Sequence, residues 1–160
     1  MKTAFFATII LFTALTSRAQ KSFQVQGGID LGVPVHNLDG TSIGLGVDLT
    51  GIYMLSNQAA LTGDFGYTAL LPKHREDATT NLLPLRIGLR YYPSGNFFVA
   101  GKIGAGFISN PGTSSITTTA YSFGLGFNAS QRVEIGGSYD GYSKNGSVGL
   151  INFRLGYRFN

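Results

Sequence analysis

From Phe23 onward the chain alternates oily and polar residues in eight runs. They are FQVQGGIDLGV (23–33), SIGLGVDLTGIYM (42–54), AALTGDFGYTALL (59–71), LLPLRIGLRYY (82–92), FFVAGKIGAGFI (97–108), TAYSFGLGFNA (119–129), RVEIGGSYDGY (132–142) and VGLINFRLGYRFN (148–160). A repeat of two places alternate side chains on opposite faces of a β-strand. No run carries a convincing helical period. The connections alternate in length: 34–41, 72–81, 109–118 and 143–147 at one end, against the short turns 55–58, 93–96 and 130–131 at the other. Pro93-Ser94-Gly95-Asn96 is a strong turn signal, and Lys144-Asn145-Gly146 resembles a primed hairpin turn. Eight strands joined alternately by short turns and longer loops predict an antiparallel up-and-down barrel.

The oily positions are odd-numbered in every run, for example Ile43, Leu45, Val47 and Leu49, or Leu83, Leu85, Ile87 and Leu89. Every charge within the runs is even-numbered: Asp30, Asp48, Asp64, Arg86, Arg90, Lys102, Arg132, Glu134, Asp140, Arg154 and Arg158. A few apolar residues break the rule on the even face, among them Ile52, Phe98, Ala100, Ile108 and Leu150, mostly near run ends.

Two architectures share such alternation. A soluble barrel turns its oily face inward; a membrane barrel turns it to lipid. Composition separates them. A soluble surface is about a quarter to a third charged, whereas only 12% of this chain is charged and 23 of its 160 residues are Gly. Even-face glycines such as Gly28, Gly46, Gly88, Gly104 and Gly126 relieve crowding inside a sharply curved barrel and would only weaken a solvent-exposed strand. With Arg132 set aside at its turn, Asp30, Asp48, Asp64, Glu134 and Asp140 face Arg86, Arg90, Lys102, Arg154 and Arg158. That balance predicts an internal, structural charge network, because an unpaired buried charge is very costly. Odd-numbered aromatics, including Tyr53, Tyr91, Phe97, Tyr121 and Tyr157, gather toward run ends as interfacial girdles do.

The N-terminus reads as a processing signal. Lys2 precedes an apolar stretch from Ala4 to Leu15, and Ser17-Arg18-Ala19 offers small residues for cleavage. The expected division is a signal peptide at 1–19 and an outer-membrane barrel domain at 20–160. The net charge of +4 includes Lys2 and Arg18, so the mature chain would carry +2. That is too little to argue for nucleic acid as a partner. The absence of Cys excludes disulfides, thiolate metal sites and a catalytic thiol.

The final strand ends LGYRFN, with Leu155, Tyr157 and Phe159 on one face. With its signal peptide, eight alternating strands and aromatic last strand, the chain resembles the small eight-stranded outer-membrane β-barrel proteins of Gram-negative bacteria. That resemblance implies integral placement in outer-membrane lipid, both mature termini in the periplasm, and reading of Leu155, Tyr157 and Phe159 by the outer-membrane assembly machinery. The usual form ends on the aromatic itself; here Asn160 follows Phe159.

Candidate chemistry is thin. His36 lies near Asp39, and His74 beside Arg75, Glu76 and Asp77, in two proposed loops. A His–carboxylate pair is a catalytic or metal-ligating option, but PKHREDATT reads as a solvated loop of mixed charge. Some barrels that this one resembles are lipid-modifying enzymes with an outward-facing His; no His lies on the oily face here. GKIGAG (101–106) has a dinucleotide-loop spacing but sits inside a strand with no following helix. The expectation is a non-enzymatic barrel without cofactor or metal, serving envelope structure or surface interaction with an unknown ligand through its loops. Two alternatives stand beside it: a narrow channel, and a soluble exported carrier with an apolar, lipocalin-like calyx.

Overall fold

The computed structural model describes residues 23–36, 41–73, 79–110, 114–144 and 147–160. They form eight strands: β1 (Phe23–His36), β2 (Thr41–Met54), β3 (Ala59–Pro72), β4 (Thr80–Tyr91), β5 (Phe97–Ser109), β6 (Ile116–Asn128), β7 (Val133–Ser143) and β8 (Ser147–Arg158). Each strand pairs antiparallel with its sequence neighbours, and β8 returns to β1, so the barrel is closed. Closure leaves no open sheet edge, which a strand in lipid requires. Following register partners around the wall from Gln24 leads through Ile52, Thr62, Gly88, Lys102, Ser122, Asp140 and Leu150 to Pro34. The ladder therefore returns to β1 ten residues further along, a stagger that tilts the strands about 35–45° from the barrel axis.

The strands outrun the alternating pattern at the long-loop end. β1 continues to His36 and β6 begins at Ile116, so the connections are 37–40, 73–79, 110–115 and 144–146 rather than the longer loops expected. Hydrogen bonding to a neighbouring strand continues where hydrophobic alternation has already stopped, and Thr117, Thr118 and Thr119 favour extended backbone. At the other end, Arg132 lies before β7 and sends Nη1 to the Tyr157 hydroxyl, 3.1 Å away. Two of the three short turns are held by serine: Ser56 Oγ accepts from the N–H groups of Gln58 and Ala59, and Ser130 Oγ from those of Arg132 and Val133.

Three prolines sit in the wall, Pro34, Pro72 and Pro84, and the pairing is irregular beside each. The β1–β8 register shifts between Pro34 and His36. Between β3 and β4 the pairing passes from Phe65–Leu85 to Thr68–Leu82, leaving out Pro84, which has no N–H to give. The space beside it is taken by Gly66, where an added Cβ would lie 3.4 Å from the Pro84 ring.

The faces settle which side is out. Ile87 is 68% and Phe123 67% exposed, whereas Arg90 and Glu134 are each 3% exposed. The oily face is the exterior and the charges line the interior. An exported carrier with an apolar calyx is thereby excluded, since the lumen is ionic and the wall is oily outside.

Two apolar clusters occupy the lumen, one at each end. Ile52, Ala60, Tyr92 and Phe98, flanked by Met54 and Ala100, lie just inside the short turns. Leu70, Leu82, Ala120, Tyr142 and Leu150, flanked by Ile108 and Val148, lie inside the long-loop end. The even-face exceptions of the sequence are the members of these two plugs.

Candidate functional site

Between the plugs lies the ion-pair network. Its members come from strands on all sides of the barrel, each placed inward by its even position. Arg154 on β8 reaches across to β2 and grips Asp48 with two bonds of 2.8 Å, from Nε and from Nη2. Its Nη1 donates to Glu134 Oε1 at 2.9 Å, and Arg90 donates to Glu134 Oε2 at 2.6 Å. These four side chains form one neutral quartet. Arg86 builds a second: Nη2 to Asp64 at 2.8 Å, Nη1 to Asp140 at 2.8 Å, with Lys102 Nζ 3.1 Å from the other Asp64 oxygen. Two cations balance two anions in each set, which is what burial of charge demands.

Neutral side chains take up the remaining acceptor capacity. Gln26 Nε2 donates to Glu134 and Thr50 Oγ1 to Asp48; Ser122 and Ser138 both donate to Asp140 Oδ1. None of these four was singled out from the sequence, although their even positions place them on the charged face. The first quartet also joins the plug beneath it. The guanidinium carbon of Arg90 lies 3.9 Å from the centre of the Phe98 ring, a cation–π contact in a desolvated setting.

Glycine makes room for this. A Cβ at Gly28 would collide with Asp48 Oδ2 and the Arg154 guanidinium, and one at Gly156 with Arg154 Nη1. Long side chains cross the lumen because short ones stand opposite. The outer face uses glycine in the same way: Gly141 lies under the Tyr121 ring and Gly149 under the Tyr139 hydroxyl.

Two residues expected in the network stand apart from it. Arg158 lies near the short-turn end and donates to the Gln131 carbonyl at 3.1 Å and to Asn128 Oδ1 at 3.3 Å, with no carboxylate partner among the described residues. Turn polar groups take the place of the expected acid. Asp30 stands opposite Arg154 in the β1–β8 register, yet it forms no ion pair among the described residues, because that guanidinium is committed to Asp48 and Glu134. In the last strand, Leu155, Tyr157 and Phe159 all point outward, and the rings of Tyr157 and Phe159 meet edge-on at 5.9 Å. His36 is the final residue of β1, and His74 lies outside the described residues. Among the described residues no group of three His, Asp or Glu converges as a metal site would need.

The family model for the outer membrane protein beta-barrel domain matches residues 4–159. The chain belongs to this family. The outer-membrane barrel is thus an integral protein of that membrane, with its oily belt in lipid. Similar solved structures show the same fold. The Ail protein (attachment invasion locus) of Yersinia pestis is 24% identical, with a TM-score of 0.63, covering 86% of this chain and 98% of its own. The N-terminal barrel domain of Pseudomonas aeruginosa OprF is 15% identical, with a TM-score of 0.62, covering 85% of this chain and 97% of its own. Neisserial surface protein A is 15% identical, with a TM-score of 0.57, covering 86% and 97%. No curated protein matches the chain.

Proposed function

We propose that this outer-membrane barrel is a non-enzymatic, non-conducting envelope protein that works through its long-loop end. In this reading the connections 37–40, 73–79, 110–115 and 144–146 face the cell exterior and both mature chain ends lie in the periplasm. The observation that carries it is the filled lumen. A cavity of about 70 Å³ remains at its centre, with an apolar plug toward each end and two ion-pair quartets along its wall. A hydrated ion moving through would have to pass both plugs and break those pairs. Any contact with a partner then falls to the surface above the belt. Leu155 and Tyr157 of β8, with Phe159 just beyond its end, serve as the signal for the assembly machinery.

Two measurements test this. Purified barrel in planar lipid bilayers is expected to give no unitary conductance steps; reproducible steps that change on replacing Arg86 or Arg154 would establish the channel instead. For orientation, the chain has no Cys of its own, so single substitutions report cleanly. Lys73→Cys is expected to react with an impermeant maleimide in intact cells, and Ser94→Cys only after the outer membrane is opened. The reverse pattern would invert the barrel.

A further inference from the structure

The two quartets account for eight charges in the middle of the lumen, and Asp30 is the ninth. Its surroundings are defined by the residues two positions either side. The space over Gly28 is filled by Asp48 and the Arg154 guanidinium, already bonded to one another. The space over Gly32 is filled by Asn152 Oδ1. Asn152 is 8% exposed, and its Oδ1 is buried without a hydrogen-bond partner. Asp30 and Asn152 both line the central cavity. One carboxylate with no ion-pair partner among the described residues and one buried amide oxygen with no donor therefore belong to side chains that line the same cavity.

We infer that the central cavity takes up one monovalent cation beside Asp30, shared between its carboxylate and Asn152 Oδ1. A fixed negative charge in a walled-off lumen is expensive unless something neutralises it, and every described basic side chain nearby is already engaged. A buried amide oxygen likewise needs a partner. Asp48 from β2, close enough to share a hydrogen bond with the Asp30 carboxyl, Arg154 from β8 and, further round the wall, Asp140 from β7 face Asp30, and the Arg86 quartet lies across the cavity. A divalent ion would want several converging carboxylates, and among the described residues no three acidic or histidine side chains come together as a metal site would need. A single positive charge fits: an alkali ion, or a proton on Asp30. Both supply the same neutralisation, and the experiment separates them.

The barrel would be refolded into phospholipid vesicles and its urea unfolding equilibrium followed, with sodium chloride exchanged for choline chloride at constant ionic strength, and separately in a pH series without sodium. A ligand bound by the native state alone shifts that equilibrium by mass action. Once the native site is filled, the unfolding constant is expected to fall about tenfold per tenfold rise in the cation taken up, and less steeply at concentrations below that. A sodium response at fixed pH identifies an alkali ion; stability rising as pH falls, with no sodium response, identifies a proton. Asp30→Asn is expected to flatten whichever response the wild type shows. Asn152→Leu, which keeps Asp30, is expected to weaken the sodium response. A wild type flat in both series overturns the inference, and so does an Asp30→Asn barrel that keeps the wild-type slope. The wild-type series alone decides if the Asp30 variant does not refold.

Discussion

Asn160 clasps Val25 across the seam of the barrel. The Val25 N–H donates to Asn160 Oδ1 at 2.9 Å, and Asn160 Nδ2 donates on to the Phe23 carbonyl at 3.2 Å. Next to it the Phe159 N–H bonds the Val25 carbonyl at 2.9 Å. The residue that follows the terminal aromatic thus extends the β8–β1 ladder with a side chain where the backbone runs out. The pairing that shuts the barrel joins the two ends of the described chain, so it closes the longest loop in the fold. Asn160→Ala removes two side-chain bonds at an exposed position, and each such bond contributes about 1 kcal/mol. The expected outcome is a folded barrel destabilised by about 1–2 kcal/mol, read from the urea midpoint in vesicles, with more unfolded band on a cold denaturing gel. An unchanged midpoint would mean that the backbone pairing closes the seam alone.

The centre of the lumen is expected to be far less forgiving. Glu134 accepts from both Arg90 and Arg154 and is almost fully buried. Glu134→Gln leaves the first quartet with a surplus positive charge. Breaking a buried pair by removing one partner costs about 3–5 kcal/mol. A double-mutant cycle with Arg90→Met should recover part of that loss, since the second change removes the stranded charge. Additive single effects would show that the two side chains do not share an interaction.

How much of this was legible in the sequence follows from what parity can carry. Even numbering alone puts Arg86, Glu134 and Arg154 inside, and odd numbering puts Ile87 and Phe123 outside, because neighbouring side chains in a strand must take opposite faces. Parity says nothing about which inward groups share a level. That depends on the stagger of ten residues and on reach: Asp30 is the register neighbour of Arg154, yet the guanidinium bonds Asp48 on the next strand. Ile52, Phe98 and Leu150 looked like lapses in the pattern for the same reason, since their common purpose appears only when several strands are brought to one height. Arg158 carried an even number and a charge like the rest, but lies too close to the β6–β7 turn to find an acid. At the long-loop ends of the strands pairing, rather than hydrophobic pattern, keeps the backbone extended, so alternation alone understates their length.

Glycine and arginine are expected to be coupled across the lumen. Gly28→Ala puts a methyl group where Asp48 Oδ2 and Arg154 now sit, so the bidentate pair must shift. The cost should be of the order of 1–3 kcal/mol, as for overpacking elsewhere. It should nearly vanish in an Arg154→Ala, Asp48→Ala background, where the crowded atoms are absent. If Gly28→Ala costs as much in that background as in the wild type, the glycine is needed for backbone reasons and not for space.

The last prediction turns the usual rule of surface tolerance around. Ile87 is the most exposed large apolar side chain among the described residues. In a water-soluble protein, replacing such a residue with Arg would change stability by only about half a kcal/mol. Ile87 instead sits mid-strand on β4, between Leu85 and Leu89 and beside Ile103 of β5, in the middle of the belt. A charge there must leave water for hydrocarbon, at a cost of about 2–4 kcal/mol near the bilayer midplane. Tyr91→Arg, near the short turns, should cost about 0–1 kcal/mol, because depth sets the penalty. Urea unfolding of both variants in vesicles checks this, and the gradient is the informative quantity. Equal and small effects at the two positions would mean that Ile87 does not face lipid, and would reopen the question of which face of this barrel meets water.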